Sequence, residues 1–264
     1  MTTPDRTPPP LASLGLDLVG ASPWRRRLAL SRPVAALVGV VAAVAAGHPW
    51  WGLPAVFLVF TTVISLMHDT VHGSLGLRRR ATDVTLFLAG AVLMVSGHAY
   101  RATHINHHRV FPGPDDPEGA AATLSIGRAL VVGPLHVPRI WWWAFTHARR
   151  GRGWLIAEAS VPFVALAVGA TASRPLLAYT VLALVGGWLY PLLTVRLPHA
   201  HPGEEAVTQA RTLRGRVVPP LLLEQTYHLE HHLYPRVPSY KLPELARRLD
   251  PFLRSVGVVP RRVP

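Results

Sequence analysis

No cysteine occurs among the 264 residues. Disulfides, thiolate metal sites, cysteine-ligated iron–sulfur clusters and a cysteine nucleophile are thereby excluded. Any bound metal must rest on histidine, aspartate and glutamate. Acid is scarce as well: 14 Asp and Glu stand against 27 Lys and Arg, a net charge of +13. The zinc-protease signature His-Glu-x-x-His is missing, and in "HLEHH", residues 228–232, the glutamate stands at the wrong offset. No module interleaves aromatic and basic residues for nucleic acid, so a nucleic-acid partner is not expected. The opening "MTTPDRTPPPLASLG" lacks the basic-then-apolar order of a cleaved signal peptide.

Apolar residues make up 50% of the chain, and they fall into runs. Leu28 to Ala46, Trp51 to Met67, Trp154 to Ala170 and Leu176 to Leu197 each approach the roughly 20 residues that cross a hydrocarbon core. Short links join the first to the second and the third to the fourth, so the expected fold is all-α and membrane-integral, with four transmembrane helices in two hairpins. If both hairpins start in the cytoplasm, only Arg174 of the 27 basic residues lies outside, as the retention of Lys and Arg on that side requires. The same bias explains the net charge through attraction to anionic headgroups. Residues 1–24 are expected to form a loosely ordered cytoplasmic arm, 25–250 the membrane domain and 251–264 a tail.

Fourteen histidines are present, and eight stand in three groups at helical spacing: His68 and His72; His104, His107 and His108; His228, His231 and His232. Positions i, i+3 and i+4 share a helix face, so each group can address one small object. The first and third groups follow spans that end inside. The middle group follows the apolar run Val84 to Gly97, which is too short to cross about 30 Å of hydrocarbon. That run is expected to lie in the interface or re-enter, which puts all three groups on one side as a histidine-rich helical cap in the cytosol. Eight imidazoles exceed what one ion takes from protein, so two ions are implied. A ninth ligand can enter from His199 or His201 in "RLPHAHP"; His199 is closer to the helix end and is preferred. Asp69, Asp116, Glu118 and Glu230 lie within or beside the groups and are expected to receive the second ring N–H of the ligating histidines. Asp115 reads as ordinary exposed acid, and His48, His98, His136 and His147 as satisfied core or surface residues.

Histidine-rich iron at the mouth of a helical bundle suits reductive activation of dioxygen and attack on an unactivated C–H bond. Zinc, without redox chemistry, would suit a membrane hydrolase instead. A metal transporter would need polar residues inside the spans, where this chain carries almost none. His68-x-x-x-His72, His104-x-x-His107-His108 and His228-x-x-His231-His232 resemble, in order and interval, the three histidine boxes of the membrane fatty acid desaturase superfamily. The resemblance runs from about Leu28 to Leu249. It implies a four-helix membrane bundle with a cytosolic cap, a di-iron centre, dioxygen as oxidant and electrons from a separate donor such as a ferredoxin-like protein and its reductase. His199 matches the place of that family's additional ligand.

The segments "HDTVHGSLG", "HHRVFPGPDDPE", "RLPH" and "YHLEHHLYPRVPSYKLP" are also similar to bacterial carotenoid ketolases and hydroxylases of the same superfamily. The substrate is therefore expected to be a fatty acyl lipid or a carotenoid, and the reaction desaturation, hydroxylation or ketone formation. A bacterial inner membrane, with termini and active site cytoplasmic, is the expected location. Arg78 to Arg80, Arg149, Arg150 and Arg152 suit either an acidic electron donor or anionic lipid.

Overall fold

The structure is a computed structural model and describes residues 6–148 and 150–264. It is built almost wholly of helices: α1 Leu11–Leu14, α2 Pro23–Ala45, α3 Gly52–Val71, α4 Arg79–Val92, α5 Gly97–Val110, α6 Ile126–His147, α7 Arg152–Ala172, α8 Arg174–Tyr190, α9 Val218–Leu221, α10 His228–Leu233 and α11 Leu242–Ser255. A two-residue parallel pair, β1 Leu213–Arg214 with β2 Arg261–Arg262, ties the C-terminus to the loop ahead of α9.

Four of these elements are long and apolar enough to cross a membrane: Leu16–Ala45, Gly52–Val71, Arg152–Ala172 and Arg174–Arg196. Their starts are written in the sequence. Ser22 caps α2 by accepting from the Arg25 N–H at 3.3 Å, with Pro23 in the first helical turn. Ser173 caps α8 in the same way. The 20 residues of α3 rise about 30 Å, one hydrocarbon thickness. Val34, Val38 and Val41 on α2, and Phe163 and Val164 on α7, point outward and stay exposed. An apolar exterior of that extent belongs against lipid.

Helix α2 packs along α3, and α7 along α8. Between these pairs the chain turns sharply, because α4 and α5 meet at 106°. Met94 takes a positive φ of 58° in the turn. Two glycines let the arms close up: a Cβ on Gly90 would lie 2.6 Å from the Val95 carbonyl oxygen, and one on Gly97 would run into the Leu86 carbonyl. The run from Val84 to Gly97 thus ends in a corner, and α5 leaves it carrying the middle histidine group.

From residue 6 onward the N-terminal arm is not loose. Leu18 is buried in a cluster with Tyr227, Leu229, Leu245 and Leu249, and Leu11 and Leu14 pack against it. The Arg248 guanidinium binds both Asp17 carboxylate oxygens at 2.8 Å and the Leu14 carbonyl at 2.7 Å. The leucines at helical spacing drive this docking; the prolines before them only delay the first turn.

Candidate metal centre

Nine imidazoles gather where the C-terminal ends of α3 and α5 meet the segment from 197 to 233. One ring-nitrogen group comprises His68, His72, His104 and His231, and a second His107, His199, His228 and His232; within each, all the candidate ligand atoms lie within 4.8 Å of one another. His108 adjoins the first, its Nε2 2.9 Å from that of His231 and 3.3 Å from that of His104. The other Nε2 to Nε2 separations run from 2.8 Å for His228 and His199 to 3.2 Å for His107 and His199. Ligand nitrogens at about 2.1 Å from one ion, at right angles to each other, would be about 3.0 Å apart. The donor set therefore fits a metal by both type and spacing, and the two groups fit two ions.

Burial, then the neighbouring imidazoles, hold seven of these rings below the usual imidazole range. His104, His108, His228, His231 and His232 are shifted strongly downward. His72 falls to about 2 and His199 to about 3 from the same causes. Neutral imidazole is the form that ligates metal.

Two of the four expected carboxylates meet imidazole. Glu118 Oε1 is 2.8 Å from His104 Nδ1, and Asp116 Oδ2 is 2.6 Å from His107 Nδ1. Asp116 is itself held by the backbone N–H groups of Glu118 and Gly119 through its other oxygen. Burial and the Asp116 charge push the Glu118 carboxyl up. For His199 the acceptor is the Gln209 carbonyl at 2.9 Å, a partner no side-chain pattern reveals.

Asp69 and Glu230 depart from expectation. Asp69 Oδ1 stands 3.6 Å from His68 Nδ1, beyond hydrogen-bond reach, and accepts instead from the Ser239 hydroxyl at 2.6 Å and the Ser239 N–H at 3.1 Å. Glu230 is fully buried and takes bonds from Thr212 at 2.9 Å and Arg214 at 2.7 Å. The reason is helical geometry: one residue beyond His68, or two beyond His228, a side chain has turned off the histidine face. Both carboxylates clamp the C-terminal segment rather than a ring.

His201 is exposed, with a φ of 58°, and stays outside the cluster. His48 and His147 are also exposed, and His136 is buried against the Tyr190 ring. His98 is no ordinary core residue. Its Nδ1 lies 2.7 Å from Glu158 Oε1, and the ring stacks on Trp154 at 5.0 Å. Glu158 is buried inside the membrane-length α7, and this lone acid in an apolar run was the available signal.

Fold and site together define a helical protein with membrane-length spans and a histidine cluster able to hold metal. A family model described as fatty acid desaturase matches residues 48–263, and the chain belongs to that family. A probable fatty acid desaturase of Sorghum bicolor is 33% identical over 92 residues, which make up 33% of this chain and 24% of that protein. The match thus spans about a quarter of the relative's length. Membership points to an oxidoreductase of desaturase type seated in a membrane.

Proposed function

We propose that this chain is a membrane-bound desaturase that attacks an unactivated C–H bond in the acyl chain of a lipid, with two iron ions held by His68, His72, His104, His107, His108, His199, His228, His231 and His232. The gathering of nine imidazoles into two ligand groups carries this reading. Iron in such a site supplies the electron transfer and dioxygen activation that protein side chains lack. Overall, desaturation joins two substrate hydrogens, two further electrons and two protons to dioxygen, yielding two waters. Because the chain has no cysteine for an iron–sulfur cluster, the two electrons come from a separate, ferredoxin-like donor with its reductase.

The protein's own groups set the stage. Asp116 and the Gln209 carbonyl receive the Nδ1–H of His107 and His199, while Glu118 Oε1 meets His104 Nδ1. Each Nε2 lone pair is thereby aimed inward. Buried rings exclude water, and the apolar flanks of α3 and α8 offer the path for a hydrocarbon chain. The four spans form two hairpins that start in the cytoplasm, with the histidines as a cytosolic cap, in keeping with the arginine bias. The arginine-rich face receives the donor; Arg150 and Arg152 belong to it, and Arg149 lies outside the described residues.

Expression of the intact chain and its His107→Ala variant in a heterologous host, supplied with a carotenoid pool, tests this reading. New double bonds in acyl lipids, absent with the variant, support it. Oxidised carotenoid with unchanged acyl lipids moves the assignment to a carotenoid hydroxylase or ketolase. Stoichiometric zinc without iron in purified protein overturns the redox reading altogether.

A further inference from the structure

A cavity of about 260 Å³, lined by no histidine, lies between the N-terminal end of α2, the C-terminal end of α3 and the C-terminal segment. That size suits a small polar headgroup and falls short of a whole lipid. Arg25 and Arg32 line it from one face of α2, Asp69 and Ser239 form one wall, and Glu224 and Tyr240 close it from the C-terminal side. Thr62, Ser65 and Leu66 line it from α3, and that face continues one turn on to the exposed Leu58, whereas the exposed Val34, Val38 and Val41 of α2 lie on the opposite side of their helix.

Its charges are unspent. Among the described residues neither Arg25 nor Arg32 has an ion-pair partner; Arg25 rests only over the Tyr240 ring, at 4.9 Å. Asp69 is committed to Ser239. Glu224 has no cation within reach, and partial burial with nothing to offset it lifts its carboxyl above the usual range. Leu223 and Glu224 both adopt positive φ, 50° and 67°, an unfavourable turn for side chains of that shape. The cavity thus offers two guanidiniums on one side, a lone carboxylate on another, and an apolar exit toward lipid.

We propose that this cavity binds the headgroup of a bilayer phospholipid carrying a primary ammonium, a phosphoethanolamine, with its phosphate on Arg25 and Arg32, its ammonium on Glu224 and its acyl chains leaving along α3 past Leu58. Guanidinium presents paired donors to phosphate oxygens, and the carboxylate answers the ammonium. The site adjoins the Asp69 to Ser239 clamp, one residue from His68, so a bound lipid braces the contact that docks the C-terminal segment on the first histidine pair. The inference rests on the membrane reading alone and stands whichever metal or substrate the histidines serve.

The test uses the full-length protein in nanodiscs of phosphatidylcholine containing a minority of phosphatidylethanolamine or phosphatidylglycerol, with lipid retained after transfer to detergent counted by native mass spectrometry. Wild type is expected to retain phosphatidylethanolamine over phosphatidylglycerol by roughly tenfold, the value of one charge-assisted contact. Glu224→Gln should keep a bound phospholipid yet lose that preference. Arg25→Gln with Arg32→Gln should lose the lipid, while Arg128→Gln, on α6, should not. Soluble phosphoethanolamine, lacking acyl chains, should not displace it. Absence of any preference in wild type, an unaltered preference in Glu224→Gln, or displacement by the soluble headgroup would overturn the assignment. Should the double arginine variant not fold, Glu224→Gln decides alone. Iron content and product formation in wild type test the desaturase reading separately.

Discussion

Glu158 Oε1, in the first turns of a membrane-length helix, holds His98 Nδ1 at 2.7 Å, while Glu158 Oε2 accepts from the Ser96 hydroxyl at 2.5 Å. Ser96 in turn caps α5, receiving the Ala99 N–H at 3.0 Å. A single buried carboxylate therefore fixes the start of the helix that carries His104, His107 and His108. Glu158→Leu leaves the His98 ring and the Ser96 hydroxyl without their partner, and removing one member of such a buried set costs about 3 kcal/mol. A lowered melting temperature with reduced metal retention is expected, and Glu158→Gln should recover part of both. Unchanged melting in Glu158→Leu would show that the clamp contributes nothing.

The corner before that helix makes a second demand. Gly97→Ala places a methyl group against the Leu86 backbone, and Gly90→Ala one against the Val95 carbonyl. Neither neighbour is a flexible side chain, so α4 and α5 must part. Overpacking of this kind costs about 1–3 kcal/mol. Metal bound per protein should fall in Gly97→Ala, whereas Gly127→Ala, where a methyl group meets open space, should leave it unchanged.

Much of this arrangement was legible in the sequence because it depends on residue type and spacing. The four spans are long, mostly apolar runs, and an observed element overlaps each of them to within one residue of its expected end or beyond it. Helix α6 leaves no such run: Pro134 and Pro138 lie inside it, and Arg128, His136 and Arg139 break its hydrophobic pattern. Proline reads as a stop in a local pattern, yet here packing against α5 and α8 carries the helix through. The roles of Asp69 and Glu230 are hidden because adjacency in sequence differs from adjacency on a helix face. Gln209 offers a carbonyl, which every residue has, so no pattern could single it out. The Glu158 clamp joins residues about 60 positions apart and needed the fold.

Those roles separate experimentally. His107→Ala removes a ring nitrogen from the second group and should abolish stoichiometric metal. Asp116→Asn keeps the ring but weakens its orientation, an effect of about 10–100-fold in metal affinity. Glu230→Gln, which touches Arg214 and Thr212 and no ring, should lower thermal stability with metal affinity nearly intact. His201→Ala should change neither. Titration of each purified variant with ferrous ion checks the order; a Glu230→Gln affinity loss as large as that of Asp116→Asn would contradict this division.

Orientation is checked through the native absence of cysteine. Single cysteines at Arg79 and Gly113 should stay unlabelled by an impermeant thiol reagent applied to intact cells, and one at Ser173, in the link between α7 and α8, should react. Labelling of the first two from outside would reverse the assignment of the histidines to the cytoplasm.

Acid should attack the metal-free site selectively. His72 and His199 have folded-state pKa values near 2 and 3, and the other shifted rings also lie below the usual imidazole range, whereas the unfolded chain takes up protons near about 6.5. Above that value both states are neutral at these positions and stability is insensitive to pH. Below it the unfolded state binds more protons, so folding is opposed by up to about 1.4 kcal/mol per ring per pH unit. Several rings titrate against the fold together, and the cluster must open. Melting of the metal-free protein should therefore be level from about pH 8 to 7 and drop steeply below about 6.5. Bound metal competes with protons for the same nitrogens and should move the drop to lower pH. A metal-free melting temperature that stays constant down to about pH 5 would mean that the imidazoles are already solvated and apart, against the buried cluster described above.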